Sequence, residues 1–314
     1  MFILFLIILG GLVLLAIGAE GLVRGSAAIA LRLGVTPLVI GLTVVAFGTG
    51  TPELFVSIGA ASQGNSGIAL GNVVGSNISN ITLILGLSAL ANPMRVRSEL
   101  IRREVPLMIA VTVLLSLLLL DGRLSRLDGL LLVAGSVAYT IYAYVAARRD
   151  RSASVAKEFD RALTGPAHSA WLDAGFILLG LTALLTGASL VLSGATALAE
   201  SIGVSQVVIG LTVVAIGTSL PELATAVIAS VRGQADVAFG NVIGSNILNV
   251  LCILGVAVLI TPFEVQGLRL LDMGVLIGSA VLVFPLLWRG SVLNRWEGAI
   301  LLVGYFAYLY SLTG

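Results

Sequence analysis

Gly41 to Leu54 reads GLTVVAFGTGTPEL, and Gly210 to Leu223 reads GLTVVAIGTSLPEL. Each stretch sets one glutamate, Glu53 or Glu222, next to a proline and a Gly-Thr pair inside a long apolar run. A carboxylate at membrane depth is costly and marks a functional site. The offset is 222 − 53 = 169, and the same offset maps Gly18 to Gly187, Ser76 to Ser245, Asn80 to Asn249, Pro93 to Pro262 and Arg126 to Arg295. The chain is therefore a duplication. We expect a first repeat over 1–147, a linker over 148–170 and a second repeat over 171–314.

Composition fixes the class. Of 314 residues 58% are hydrophobic and 11% charged, with mean hydropathy +1.10. A soluble domain carries about 25% charged residues, so the sequence is that of a polytopic membrane protein. A formal net charge of +1 argues against a nucleic-acid partner. The single cysteine, Cys252, cannot form an internal disulfide and reads as a packing residue. The N-terminus lacks a basic n-region and an A-x-A cleavage site, so it reads as a first membrane helix. The only histidine, His168, falls in the polar linker and reads as solvated.

About 20 apolar residues cross a bilayer. The pattern predicts ten transmembrane helices, at 2–33, 37–62, 67–90, 104–120, 127–147, 172–202, 206–231, 237–260, 271–288 and 296–312. Helices 2 and 7 are expected to be discontinuous. Five helices per half place the two repeats in opposite orientations, an all-α fold of inverted topology. Loops 1–2, 3–4, 5–6, 7–8 and 9–10 then collect 14 of the 17 basic residues, and the other side collects only Arg123, Arg126 and Arg269. The positive-inside rule puts the first set, with the linker, in the cytoplasm and both termini outside. The expected location is the cell membrane.

Proline removes a backbone donor, and unwound backbone at membrane depth must be buried or line a watery cavity. Carbonyls of Ala46 to Thr49 can then face a cation, and Gly217 to Glu222 does the same from the opposite direction. Glu53 and Glu222 supply charge. Hard cations such as Ca²⁺ take about six to eight oxygens, and Thr49, Thr218 and Ser219 add to the supply. The absence of clustered Cys or His argues against a soft metal. The partner helices carry GNVVGSNISN (71–80) and GNVIGSNILN (240–249). Gly71/Gly75 and Gly240/Gly244 suit close helix approach. Ser76 with Asn80, and Ser245 with Asn249, share a helix face and can complete an oxygen cage. Asn72, Asn77, Asn241 and Asn246 are expected on other faces, in backbone-stabilising roles. Glu20 and Arg24 could pair on helix 1; their counterparts are Ser189 and Ser193, so the pair is read as structural.

The doubled motif resembles the alpha repeats of the cation/calcium antiporter superfamily, which includes the sodium/calcium exchangers. The resemblance covers nearly the whole chain. It implies electrogenic exchange of several Na⁺ for one Ca²⁺ by alternating access, with four cation positions between helices 2, 3, 7 and 8. It further implies that Glu53 and Glu222 hold Ca²⁺ with the carbonyls of Thr49 and Thr218. Ser76, Ser219 and Ser245, with the carbonyls of Ala46 and Ala215, would help hold Na⁺, and Asn80 and Asn249 would line the middle position. Helices 1 and 6 would be the sliding gate. Two positions depart from the pattern. Gly50 stands where the first motif usually has serine, so one hydroxyl is lost beside Thr51, and H⁺ is the alternative driving ion. Asn249 stands where some members have aspartate, which implies potassium-independent transport. Two carboxylates balance one Ca²⁺ or two Na⁺, so occupancy by both together would leave excess buried charge. No cofactor and no obligate protein partner are expected. A passive cation channel is a further alternative. No nucleophile–base pair or nucleotide loop points to an enzyme.

Overall fold

A computed structural model describes residues 2–33, 37–149, 170–203, 215–265, 267–288 and 290–312. The linker, His168 and the first part of the expected helix 7 lie largely or wholly outside the described residues. In chain order the helices are α1 (Phe2–Leu33), α2 (Gly41–Thr49), α3 (Thr51–Ser62), α4 (Ser66–Ala91), α5 (Ser98–Leu118) and α6 (Arg126–Arg149). They continue as α7 (Ala170–Ser201), α8 (Ala215–Thr218), α9 (Leu220–Val231), α10 (Ala235–Ile260), α11 (Leu270–Trp288) and α12 (Arg295–Leu312). Large apolar side chains such as Phe2, Phe55, Trp171 and Leu270 are exposed, as a helical protein surrounded by lipid requires.

Among the described residues six helices are long and apolar enough to cross a membrane: α1, α4, α6, α7, α10 and α11. The pair α2/α3, bent by 51° at Gly50, makes a seventh. The fourth expected helix was placed at Glu104 but begins at Ser98. Arg102, Arg103 and Glu104 keep the apolar reading from extending, yet charge by itself does not end a helix. Pro106 is accommodated inside it.

α1 and α7 pack backbone against backbone. Gly11, Gly18 and Gly25 recur every seven residues, as do Gly180, Gly187 and Gly194. A Cβ on Gly18 would lie 2.6 Å from the Gly180 carbonyl, and one on Gly187 2.7 Å from the Gly11 carbonyl. Only glycine permits this approach, the usual basis of tight packing between apolar helices. α1 is also tied by charge. Glu20 pairs with Arg24 as expected, and it accepts a second bond from Arg232 at 2.9 Å, just past the end of α9. Arg32 of α1 bonds Asp173 of α7.

Four two-residue strands, too short to read from sequence, join the halves. β1 (Met94–Arg95) pairs antiparallel with β4 (Val292–Leu293), with Met94 opposite Leu293. β2 (Arg123–Leu124) pairs antiparallel with β3 (Phe263–Glu264), with Leu124 opposite Phe263. At the 169 offset β1 corresponds to β3 and β2 to β4, so each strand pairs with the counterpart of its own neighbour. Gly86 meets Gly298 and Gly129 meets Gly255 by the same exchange.

Candidate functional site

The site forms where the two breaks meet α4 and α10. Proline is at the second position of both α3 and α9. Pro52 and Pro221 deprive the carbonyls of Gly48 and Gly217 of their helical partners. The helix resumes at once, with Leu54 N–H donating to Gly50 O at 3.1 Å and Leu223 N–H to Ser219 O at 3.0 Å. Glu53 and Glu222 therefore stand in the first turns of new helices, where N–H groups favour negative charge. Both are 1% exposed. Glu53 Oε2 and Glu222 Oε2 are buried and have no hydrogen-bond partner among the described residues. Burying such an oxygen uncompensated costs several kcal/mol, roughly.

Thr49, Ser76, Asn80, Thr218, Ser219, Ser245 and Asn249 are all buried with the glutamates. Ser219 Oγ donates to Glu53 Oε1 at 3.2 Å and lies 3.3 Å from Ser76 Oγ, so both halves contribute to one cluster. The Thr49 hydroxyl donates to the Val45 carbonyl at 3.1 Å on its own helix. Ser245 Oγ and Asn80 Oδ1 are buried without a partner. The carbonyl of buried Ala46 accepts the Gly50 N–H at 3.0 Å and keeps one lone pair for another group. Ala215 is the first described residue of α8. Thr51 turns away, since its hydroxyl donates to the Phe47 carbonyl at 3.2 Å on its own helix.

The asparagines set aside in the sequence are part of the same structure. Asn72 Nδ2 donates to Glu53 O at 3.2 Å, and Asn241 Nδ2 to Glu222 O at 3.4 Å. The Thr218 hydroxyl donates to Asn72 Oδ1 at 3.5 Å and the Thr49 hydroxyl to Asn241 Oδ1 at 3.3 Å. Each threonine thus reaches into the other half. The expected backbone-stabilising role holds for this pair, but the expected separate face does not. Asn72 and Asn241 precede Ser76 and Ser245 by one turn, and i, i+4 spacing was the signal that could have found them.

Asn77 and Asn246 also bond across the halves. Asn249 Nδ2 donates to Asn77 Oδ1 at 3.0 Å, Asn80 Nδ2 to Asn246 Oδ1 at 3.4 Å, and Asn77 Nδ2 to Asn246 O at 3.1 Å. From Asn80 to Ile84, and from Asn249 to Leu254, the helices widen into π turns. Such turns favour functional sites, and here they begin at the two asparagines expected to face the centre.

This buried arrangement of two carboxyl groups with hydroxyl, amide and carbonyl oxygens suits hard cations. The sequence model of the family described as sodium/calcium exchanger protein matches the chain twice, over residues 3–145 and 172–314. CaxA of Alkalimonas amylolytica is 40% identical over 97% of both chains. Sodium/calcium exchanger MaX1 of Methanosarcina acetivorans is 36% identical, again over 97% of both. A solved structure of the sodium-calcium exchanger NCX_Mj, soaked with Na⁺ and Sr²⁺, superposes with a TM-score of 0.86 at 33% identity and 99% coverage of both chains. The duplicated motif, the helical membrane fold and these matches together establish that this chain belongs to the sodium/calcium exchanger protein family, an antiporter family of cation transport.

Proposed function

We propose that the protein exchanges Na⁺ for Ca²⁺ by alternating access at the site between the two breaks. Glu53 and Glu222 supply the charge. The carbonyls of Thr49 and Thr218 join them on the divalent ion. Ser76, Ser219, Ser245 and the carbonyls of Ala46 and Ala215 serve the monovalent ions, and Asn80 and Asn249 line the middle. The observation that carries this reading is the pair of buried, unpartnered carboxylate oxygens, one from each half. They are served by either one Ca²⁺ or two Na⁺, which makes the two loads exclusive. Family membership and the likeness to NCX_Mj support it.

Ten spans in two opposed repeats, 1–147 and 171–314, complete the proposal. The exchanged strand pairing supports opposed repeats. In ten spans loops 3–4 and 9–10 share one face of the membrane and loops 4–5 and 8–9 the other, and β1–β4 and β2–β3 join those same loops. The basic residues then set the 148–170 linker in the cytoplasm and the termini outside.

The deciding experiment is ⁴⁵Ca²⁺ uptake into Na⁺-loaded proteoliposomes. Uptake should require the outward Na⁺ gradient and collapse when it is dissipated; uptake indifferent to Na⁺ refutes the coupling. H⁺/Ca²⁺ exchange is the second reading, favoured by Gly50, which removes a hydroxyl from the centre. Uptake driven by a pH gradient without Na⁺ selects it.

A further inference from the structure

The 169 offset pairs Ser219, Ser76 and Glu53 with Gly50, Ser245 and Glu222. In the first set one hydroxyl links the others, because Ser219 Oγ contacts both Glu53 Oε1 and Ser76 Oγ. In the second set position 50 has no side chain. There Ser245 Oγ and Glu222 Oε2 are both buried and without partners among the described residues.

Nothing in the backbone demands glycine at position 50. Its φ of −75° and ψ of 2° nearly repeat the −88° and 7° of Ser219, a conformation open to any residue. Space is tight but not closed: a Cβ needs the Ala46 carbonyl to give by a few tenths of an ångström. A cavity lined in part by Ala46, Gly50, Leu54, Leu248, Cys252 and Ile253 opens beside it. A Cβ there would lie 3.1 Å from the Ala46 carbonyl, 3.5 Å from Ile253 Cδ1 and 3.9 Å from Asn249 Oδ1. A side chain at 50 would thus have the Ala46 carbonyl and Asn249 Oδ1 as its nearest oxygens. Thr51 cannot replace it, being committed to Phe47 O.

We propose that Gly50 makes the two halves of the site unequal: a complete monovalent-cation subsite at Ser219, Ser76 and Glu53, and a truncated one at Ser245 and Glu222 that takes its cation with water in place of the missing hydroxyl. Position 50 is then a specificity-determining residue for the driving ion. Water fills a coordination place at modest entropic cost, but it is not pre-positioned, so the truncated subsite binds Na⁺ more weakly. This inference rests on the Na⁺-coupled reading above.

The test uses the full chain in proteoliposomes and two readouts. One is the internal Na⁺ concentration that half-activates ⁴⁵Ca²⁺ uptake, with its slope; the other is half-saturation by Ca²⁺ in Na⁺-free Ca²⁺/Ca²⁺ exchange. Gly50→Ser should tighten half-activation by Na⁺ severalfold, up to about tenfold, the scale of one ligand to a charged group, and steepen the slope. Ser219→Gly should weaken it by roughly the same factor. Half-saturation by Ca²⁺ should move less than either. Gly50→Ala separates packing from chemistry, because it adds the methyl group alone. The inference is overturned if Gly50→Ser leaves Na⁺ activation unchanged, if Gly50→Ala matches it, or if Ca²⁺ half-saturation shifts as far as Na⁺ activation. Wild-type uptake that ignores Na⁺ overturns the coupling itself, and this inference with it. Na⁺-dependent wild-type uptake with an unresponsive Gly50→Ser overturns this inference alone.

Discussion

Around Glu53, a serine from the other half bonds the carboxylate and touches a second serine. Around Glu222, the equivalent place is Gly50, and the equivalent serine has no partner among the described residues. One turn away the halves agree again: Asn72 and Asn241 hold the carbonyls of Glu53 and Glu222, and each takes a threonine hydroxyl from the opposite repeat. The bonds that hold the broken helices open are kept in both copies. The hydroxyls around the carboxylates have diverged. Duplication thus fixes the frame of the site, while single side chains within it have diverged.

The severest way to break this comparison is to neutralise each carboxylate. Glu53→Gln and Glu222→Gln should each lower gradient-driven ⁴⁵Ca²⁺ uptake by about a hundredfold or more, since losing one partner of a buried charge interaction costs roughly 2–5 kcal/mol. Normal uptake in either mutant would show that one glutamate is a spectator. Next come the supports. Asn72→Ala and Asn241→Ala should each cost about tenfold in uptake, because a buried carbonyl loses a bond worth roughly 1–3 kcal/mol. Similar losses would mark the shared frame, and a loss on one side only would extend the asymmetry to the backbone.

A third test concerns stability. Ser230 Oγ donates to Ser88 O at 2.9 Å, and Asn92 Nδ2 donates to Ser230 O at 2.7 Å. The equivalent of Ser230 is Ala61, packed with Ala69 and Ala257. Ser230→Ala should therefore lower stability by about 1 kcal/mol, read as a drop in thermal midpoint in detergent; an unchanged midpoint would mean that this polar contact adds nothing over its apolar twin. The smallest effect is expected at Glu20. Glu20→Gln, which disrupts exposed pairs with Arg24 and Arg232, should change stability by at most about 1 kcal/mol, and less in high salt. A larger, salt-resistant loss would show that the contact is more than a surface ion pair.

Much of this could be read from the residues. The 169 offset announces the equivalences, and Pro52 and Pro221 mark the breaks, because proline acts locally whatever surrounds it. Three things were hidden. The first turns of α5 were masked by Arg102, Arg103 and Glu104, since hydropathy senses the bilayer and not the helix. The strands are two residues long and owe their existence to the loop brought beside them. The direction of Thr51 is set by the carbonyl available on its own helix, which its neighbours in sequence do not specify. Gly50 was visible as a departure, yet its meaning needed the fold, which gives it the backbone angles of Ser219 and so no conformational need for glycine.

The sevenfold-spaced glycines between α1 and α7 have one mechanical consequence. With main chain resting on main chain, there is no cushion of side chains to compress or to tilt on, so neither rod can pivot alone. A shift of one rod is therefore passed straight to the other.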